Sequence, residues 1–347
     1  MPLDSHTEAH VQALIAVLEL ARAGQPADAE HLSKVEYFRR SRQDWGAALA
    51  ELTEHGLLAR QEGVYVLTGR GKTQAEDLRE ARPPIYYWYC DYYTATRSSA
   101  IYSQFCERVF GRDFGQHGFS DMAQIDEMLA RLALAPGDRV LDLGCGNGAM
   151  AEYIAQTTGA RVTGIDYIPE AIRQAQERAA KQPERLAFHV GDIAHLVDAQ
   201  STLPFRPHSL HAVISVDTLY FTDLRDTLRQ MRCLLAPGGQ MAILYGHDMW
   251  FDQAPGEIDP RSLSAEQTPL GQALRANGLF FQALDLSHAN YEHAQLKKAV
   301  LEELRPAFEA EGNLFLFENR YAEARGVIRA YEAGLAVRYL YHVKSEE

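Results

Sequence analysis

A chain of 347 residues exceeds one average domain of about 100–200 residues, so more than one structural unit is expected. With 46% hydrophobic and 23% charged residues it has the usage of a folded globular protein, which excludes a disordered or fibrous chain. Its 34 Lys+Arg against 47 Asp+Glu leave a net charge of −13, which repels phosphate backbones and anionic lipid, so neither nucleic acid nor membrane is an expected partner.

From the amino terminus, Val11, Leu14, Ile15 and Leu18 recur at helical spacing. A second helix is predicted over 27–38, and a third from Ser41 onward, carried by Trp45, Leu49 and Leu52 and stopped at Gly56. The runs 57–60 and 64–67 flank the turn Gln61-Glu62-Gly63 as a hairpin, and residues 73–82 return to helix. Three helices and a hairpin predict an N-terminal winged-helix domain over 1–82. Such a domain invites a DNA-binding reading, but these residues hold ten Lys+Arg against thirteen Asp+Glu, where a groove reader would be basic. Arg39, Arg40 and Arg42, the one cluster able to touch phosphate, read as solvated surface. The domain is expected to dimerise or to cover a substrate.

Arg82-Pro83-Pro84 ends that unit, because consecutive prolines forbid helix continuation. An aromatic-rich helical linker or cap follows over 83–133. Tyr86, Tyr87, Trp88, Tyr89, Tyr92 and Tyr93 put six aromatics in eight positions, and Tyr102, Phe105, Phe110, Phe114 and Phe119 continue the trend. A helix over 122–132 leads to Pro136-Gly137, the turn that opens a third region, 134–347.

In that region apolar strands at 139–143, 161–165, 186–190, 212–216 and 240–245 alternate with helical patterns, among them 149–158 and 169–180. The alternation predicts an α/β fold with a doubly wound, mostly parallel sheet whose ligands bind at the carboxyl ends of the strands. A helix at 270–277, a sixth strand at 279–286 and a seventh at 337–343 complete it. Between the last two strands lies a helical insertion, about 290–334, predicted to break at Pro306 and resume near 320–333.

The four cysteines, Cys90, Cys106, Cys145 and Cys233, show no zinc-ligand spacing and suit a reducing, cytoplasmic setting. The polar, acidic start MPLDSHTEAH is unlike an export signal, and no run of about 18 apolar residues occurs.

The first strand of the α/β region ends in Val140-Leu141-Asp142-Leu143-Gly144-Cys145-Gly146-Asn147-Gly148-Ala149, immediately before a helix. Glycines there let the chain turn sharply and bring a ligand onto main-chain amides at a helix start. Gly144, Gly146 and Ala149 also satisfy the dinucleotide fingerprint, so a nicotinamide or flavin cofactor competes with S-adenosylmethionine. Asp166, ending the second strand, could accept from ribose hydroxyls in either case. Asp142 separates the two: beside the glycine turn it would oppose a pyrophosphate but attract the cationic amine of S-adenosylmethionine. Gly191-Asp192-Ile193 after the third strand could meet an adenine amino group and cover the ring face.

Together VLDLGCGNG, VTGIDY, VGDI, ISVDTLYF and LLAPGGQMAILY, in this order and spacing, resemble the class I S-adenosylmethionine-dependent methyltransferases of small-molecule type, from about Phe119 to the C-terminus. The resemblance implies a seven-stranded Rossmann-like fold and S-adenosylmethionine as cofactor. Gly144, Cys145, Gly146 and Asn147 would lie under its methionine end with Asp142 near the amine; Asp166 and Tyr167 would sit at the ribose, and Gly191, Asp192 and Ile193 at the adenine. Gln116, Ser215 and Asp217 would line the cofactor beside the substrate.

A small-molecule acceptor is expected, through oxygen, nitrogen or carbon. The D/N-P-P-Y/F motif of amino-methylating DNA enzymes is replaced by Asp217-Thr218-Leu219-Tyr220, and the double-glutamate loop of arginine methylation is absent. Asp217 with Asp248 is too thin a set for a metal-assisted mechanism, so no metal is expected. A base is needed only if the nucleophile must lose a proton, and His117, Tyr220 and His247 are the candidates. Tyr93, Tyr102 and Tyr245, with Asn313, Arg320 and Tyr321 of the insertion, are candidate acceptor contacts; inter-domain packing is the competing account of the tyrosines and a helical buttress that of the insertion. The expected assembly is a homodimer. Two other readings compete: a DNA-binding regulator that senses S-adenosylmethionine, and a nucleotide-dependent oxidoreductase.

Overall fold

The computed structural model describes residues 7–39, 45–81, 84–201, 203–247 and 260–344. The contact pattern divides the chain into two units, Met1–Ala95 and Thr96–Glu347. Arg40, Arg42, Pro83 and Asp248 lie outside the described residues, and Arg39 is described only as the last residue of a helix.

The first unit runs α1 (Glu8–Arg22), α2 (Ala29–Arg39), α3 (Trp45–Glu54), β1 (Leu58–Gln61), β2 (Val64–Leu67), α4 (Gly69–Ala81) and α5 (Pro84–Thr96, whose last residue belongs to the second unit). Thr7 caps α1 through a reciprocal bond with His10, satisfying donors that a helix start leaves open. Glu62 and Gly63, at φ 50° and 88°, form the two-residue turn whose twist suits a hairpin. Leu14, Val17, Trp45, Leu52 and Leu57 close a small core. On α5, Trp88 stacks on Tyr92 at 5.2 Å and Tyr89 on Tyr93 at 6.2 Å.

The second unit opens with α6 (Ala100–Phe110) and α7 (Met122–Leu132). It continues β3 (Arg139–Leu143), α8 (Ala149–Thr158), β4 (Arg161–Asp166), α9 (Pro169–Ala179), β5 (Leu186–Val190), β6 (Leu210–Val216), α10 (Leu224–Leu234) and β7 (Leu235–His247). Then come α11 (Pro269–Ala276), β8 (Phe281–Asp285), α12 (Ser287–Ala310), α13 (Leu314–Glu332) and β9 (Val337–Lys344). The sheet order is β5-β4-β3-β6-β7-β9-β8; β3 to β7 are parallel neighbours, and β9 runs antiparallel to both β7 and β8. Alternation sends Val140 and Val162 into one apolar layer with Met128, Ile154 and Ile172, and Leu141, Leu143 and Ile165 into the other with Leu228, Met231 and Leu274. A parallel sheet covered on both faces leaves its two edges for ligands.

Two expectations in the insertion are corrected. Helix α12 passes through Pro306 without a break, held by Leu301, Leu304 and Phe308 on its buried side and by packing against α13 and α6. Helix α13 starts at Leu314, several residues before the predicted start, because Phe315, Leu316 and Phe317 are all buried.

Candidate cofactor and active site

The carboxyl edge of the sheet collects the motif residues. After β3 the chain turns through Gly144, Gly146 and Gly148, at φ 70°, 55° and 77°, before α8 starts. At Gly144 a side chain is excluded twice over: the left-handed backbone disfavours it, and a Cβ would stand 2.3 Å from Thr218 Cγ2 of the loop after β6. The turn is fastened by the Gly144 and Cys145 N–H groups, which donate to the Ile165 carbonyl at 2.8 and 3.0 Å. Asn147 accepts from Ala149 N–H and donates its Nδ2–H to the Phe114 carbonyl at 2.9 Å, tying residue 114 to the turn.

Asp142 precedes this turn on the Val140 face of β3 and is wholly buried, and both its carboxylate oxygens lack a hydrogen-bond partner among the described residues. Burial, with Asp166 nearby, raises its pKa from 3.8 to about 7. Asp166 accepts from Gly146 N–H and Ile168 N–H, both at 2.9 Å; burial raises it to about 6 against those bonds. Burial and the two acids push the Cys145 thiol up, so it stays protonated. Ser215 Oγ, at the end of β6, is also buried without a partner. Such polar atoms cost free energy unless something satisfies them.

Beyond β4 the Tyr167 ring is part-exposed, 38%. Beyond β5, Asp192 is exposed and accepts from Ala194 N–H at 2.8 Å, while Ile193 is buried. Tyr220, in a short 3₁₀ turn after β6, accepts from Gly246 N–H at 2.8 Å and packs on Tyr245 with ring centroids 4.3 Å apart; Tyr245 in turn lies 4.7 Å from the His247 ring. These residues join the ends of β6 and β7.

Charge decides what the candidate bases can do. Burial and Asp217 push the Tyr220 hydroxyl well up, so it keeps its proton at neutral pH. Burial and Arg338 lower His247 to about 3, so the ring is neutral. Its Nε2 meets the Tyr341 hydroxyl at 2.9 Å; that hydroxyl meets Thr268 Oγ1 at 2.8 Å, and Thr268 donates to the Ala265 carbonyl at 2.8 Å. The Tyr341 hydroxyl also reaches the Ala265 carbonyl at 3.4 Å, so His247 is held by a shared network of Tyr341, Thr268 and Ala265. Burial and Arg320 hold His117 well below its usual range; its Nε2 lies 3.3 Å from Asn319 Oδ1.

Several candidate contacts are drawn into the scaffold. Asp217, at φ 54°, is gripped by Arg338 through Nη1 to Oδ1 at 2.7 Å and Nη2 to Oδ2 at 3.1 Å, and accepts from Phe119 N–H and Ser120 Oγ. Its carboxylate anchors residues 119–120 to β6. Gln116 folds onto its own loop, accepting from Phe114 N–H and donating to the Arg112 carbonyl. Tyr102 is fully buried and donates to the Gln116 carbonyl at 3.0 Å. Arg320, also fully buried, donates to the His117 carbonyl at 2.7 Å and Glu323 at 2.5 Å, and Lys297 shares Glu323 at 2.7 Å. Tyr321 donates to Glu302, and Asn313 to Glu311. Tyr102, Arg320, Tyr321 and Asn313 thus each already have a polar partner within the protein. Tyr93 is buried on α5, in the first unit.

Sequence reasoning missed Arg338 and Thr218. The one visible signal for Arg338 was a cation inside the aromatic strand Val337-Arg338-Tyr339-Leu340-Tyr341. Among the described residues no group of three His, Cys, Asp or Glu could hold a metal ion, and no helix is long and apolar enough to cross a membrane.

A glycine turn between β3 and α8, with acids closing β3 and β4 in a seven-stranded sheet of this order, defines a Rossmann-like class I methyltransferase fold. A family model described as a methyltransferase domain matches residues 140–239. The 27-O-demethylrifamycin SV methyltransferase of Amycolatopsis mediterranei is 32% identical over 121 residues, 34% of this chain and 42% of that protein. The ubiquinone biosynthesis O-methyltransferase of Xanthomonas campestris pv. campestris is 34% identical over 119 residues, 34% of this chain and 46% of that protein. The chain thus spans less than half the length of these curated relatives. Phosphoethanolamine N-methyltransferase 2 of Haemonchus contortus, solved with S-adenosyl-L-methionine, aligns over 91% of this chain and 76% of its own at TM-score 0.60 and 16% identity. The [4+2]-cyclase SpnF aligns over 73% of this chain and 96% of its own at TM-score 0.51 and 19% identity. At such identities the likeness is one of fold.

Proposed function

We propose that the chain binds S-adenosylmethionine at the carboxyl edge of the sheet and transfers its methyl group to a small-molecule acceptor. The observation that carries this reading is Asp142, a wholly buried carboxylate with no hydrogen-bond partner among the described residues, beside a three-glycine turn. A dinucleotide pyrophosphate would worsen that unpaired charge, whereas an α-amine neutralises it. Gly144 to Gly148 and Asp142 would hold the methionine end, Asp166 and Tyr167 the ribose, and Asp192 and Ile193 the adenine, with Ser215 beside the reacting end. When bound, the cofactor supplies an electrophilic methyl group on a sulfonium. The chain's own part is alignment, since in-line displacement needs a base only when the acceptor carries a proton. For such an acceptor, the neutral imidazole of His247 is the candidate base at this edge.

Oxygen, nitrogen and carbon acceptors all fit this reading. Calorimetry with S-adenosylmethionine, followed by a screen of metabolite pools for S-adenosylhomocysteine release, tests it. Absence of binding ends the reading, and binding without release from any acceptor would move it toward other chemistry on the same fold, as in the cyclase. We further take the chain to be a cytoplasmic homodimer that associates through its helix-and-hairpin first unit and does not bind nucleic acid. The net charge of −13 and four free cysteines support this, and sedimentation of the full chain against residues 96–347 checks the association.

A further inference from the structure

The amino edge of the sheet, at the opposite ends of the strands from the glycine turn, carries a second concave site. A cavity of about 570 Å³ there is floored by apolar groups such as Leu186 and Phe205 and rimmed by Arg139, Arg161, Arg185 and Arg206, with Glu184 the one carboxylate in its lining. The arginines follow from the strand register. Arg139 and Arg161 are direct partners at the first positions of β3 and β4, and Arg185, the residue before β5, accepts at its carbonyl from Val162 N–H at 2.8 Å, so three arginines stand at the amino ends of three adjacent strands. Like charges side by side in a sheet repel.

Ordinary surfaces relieve such a row with acids, but here none does. Among the described residues none of the four guanidinium groups has a carboxylate within ion-pair distance; Arg139 donates Nε to the Ser209 carbonyl at 2.5 Å. The nearest acid in sequence, Asp138, accepts from Ala135 N–H and lies 3.8 Å from His211. In a chain of net charge −13 this is a local excess of positive charge over an apolar floor.

We propose that this cavity binds a free organic anion, a phosphate, sulfonate or carboxylate group on a compact apolar body, at a site separate from that of S-adenosylmethionine. Guanidinium groups pair with oxyanions bidentately, and the volume is that of a small-molecule pocket. A ligand there touches the starts of the strands whose ends form the glycine turn, so it would act as a modulator and not as a reactant.

The probes are 1-anilinonaphthalene-8-sulfonate, whose fluorescence reports an anion on an apolar surface, and inorganic pyrophosphate as competitor. Expected are saturable fluorescence that pyrophosphate lowers and saturating S-adenosylhomocysteine leaves intact, and at least tenfold weaker binding in Arg161→Glu/Arg206→Glu. Circular dichroism checks that the variant folds, and Arg185→Gln, which adds no new charge, gives an independent second variant. Binding unchanged in both variants, or displaced by S-adenosylhomocysteine, overturns the proposal. Tighter binding of duplex DNA, polyglutamate or phosphatidylserine vesicles than of any soluble small anion also overturns it, by assigning the surface to a macromolecule or a membrane.

Discussion

At the carboxyl edge of the sheet the charged groups around the glycine turn and β6 are buried: Asp142 and Asp166 lie around the turn, and Arg338 is locked onto Asp217. At the amino edge Arg139, Arg161, Arg185 and Arg206 are exposed and carry no ion pair among the described residues. Burial makes charge expensive, so each of these buried groups is either paired, as Arg338 is, or driven toward its neutral form, as Asp142 is. Exposure makes charge cheap, so the arginine row persists at small cost.

The strongest way to break that contrast is Arg338→Ala. It leaves the buried Asp217 carboxylate without its cation and removes the Arg338 bond to Ser120, so a loss of about 3–5 kcal/mol is expected. Chemical denaturation of the full chain measures it. A loss under about 1 kcal/mol would show that the pair is not the clamp described.

Asp142→Asn comes next and should act in opposite directions on two readouts. Affinity for S-adenosylmethionine falls roughly 10- to 100-fold, the value of a charged hydrogen bond, while the ligand-free protein melts higher at neutral pH. Calorimetry and thermal melts give the two numbers, and weaker binding together with lower stability would point to general damage.

The pH dependence sharpens the same point. Asp142 titrates at about 7 in the folded chain against 3.8 when unfolded, so the folded state holds a proton that the unfolded state has released. Its contribution makes stability fall as pH rises from about 4 to about 7. A cation beside it favours the ionised form, so cofactor affinity should rise from pH 6 to 8 in the native chain and stay flat in Asp142→Asn. The smallest effect belongs to the exposed edge. Arg161→Gln should stabilise the protein by about 0.2–1 kcal/mol at low salt through lost repulsion, and the gain should vanish near 1 M salt.

The glycine turn, Asp142 and Asp166 were legible because a strand that ends in spaced glycines leaves the backbone few choices. The parallel strands were legible because their apolar runs are short and regularly bounded. Asp217 and Arg320 had partners that the sequence could not show for a common reason: as polar residues near a predicted site they suggested ligand contact, and Arg338 and the His117 carbonyl lie far along the chain. Asp217 meets Arg338, and Arg320 meets the His117 carbonyl. Pro306 was misread because local propensity speaks for a break while Leu301, Leu304 and Phe308 hold the helix through tertiary burial.

The sequence alone therefore determined the α/β fold, the turn that would receive a cofactor and the acids around it, because those properties follow from local backbone geometry and hydrophobic period. The tertiary structure decided which polar groups stay unsatisfied. Asp142 is left without a hydrogen-bond partner among the described residues while Asp217, with the same side chain, is fully paired, and three arginines at the amino ends of strands become a single row. Those differences come from register and long-range packing, which bring together residues that no local pattern connects.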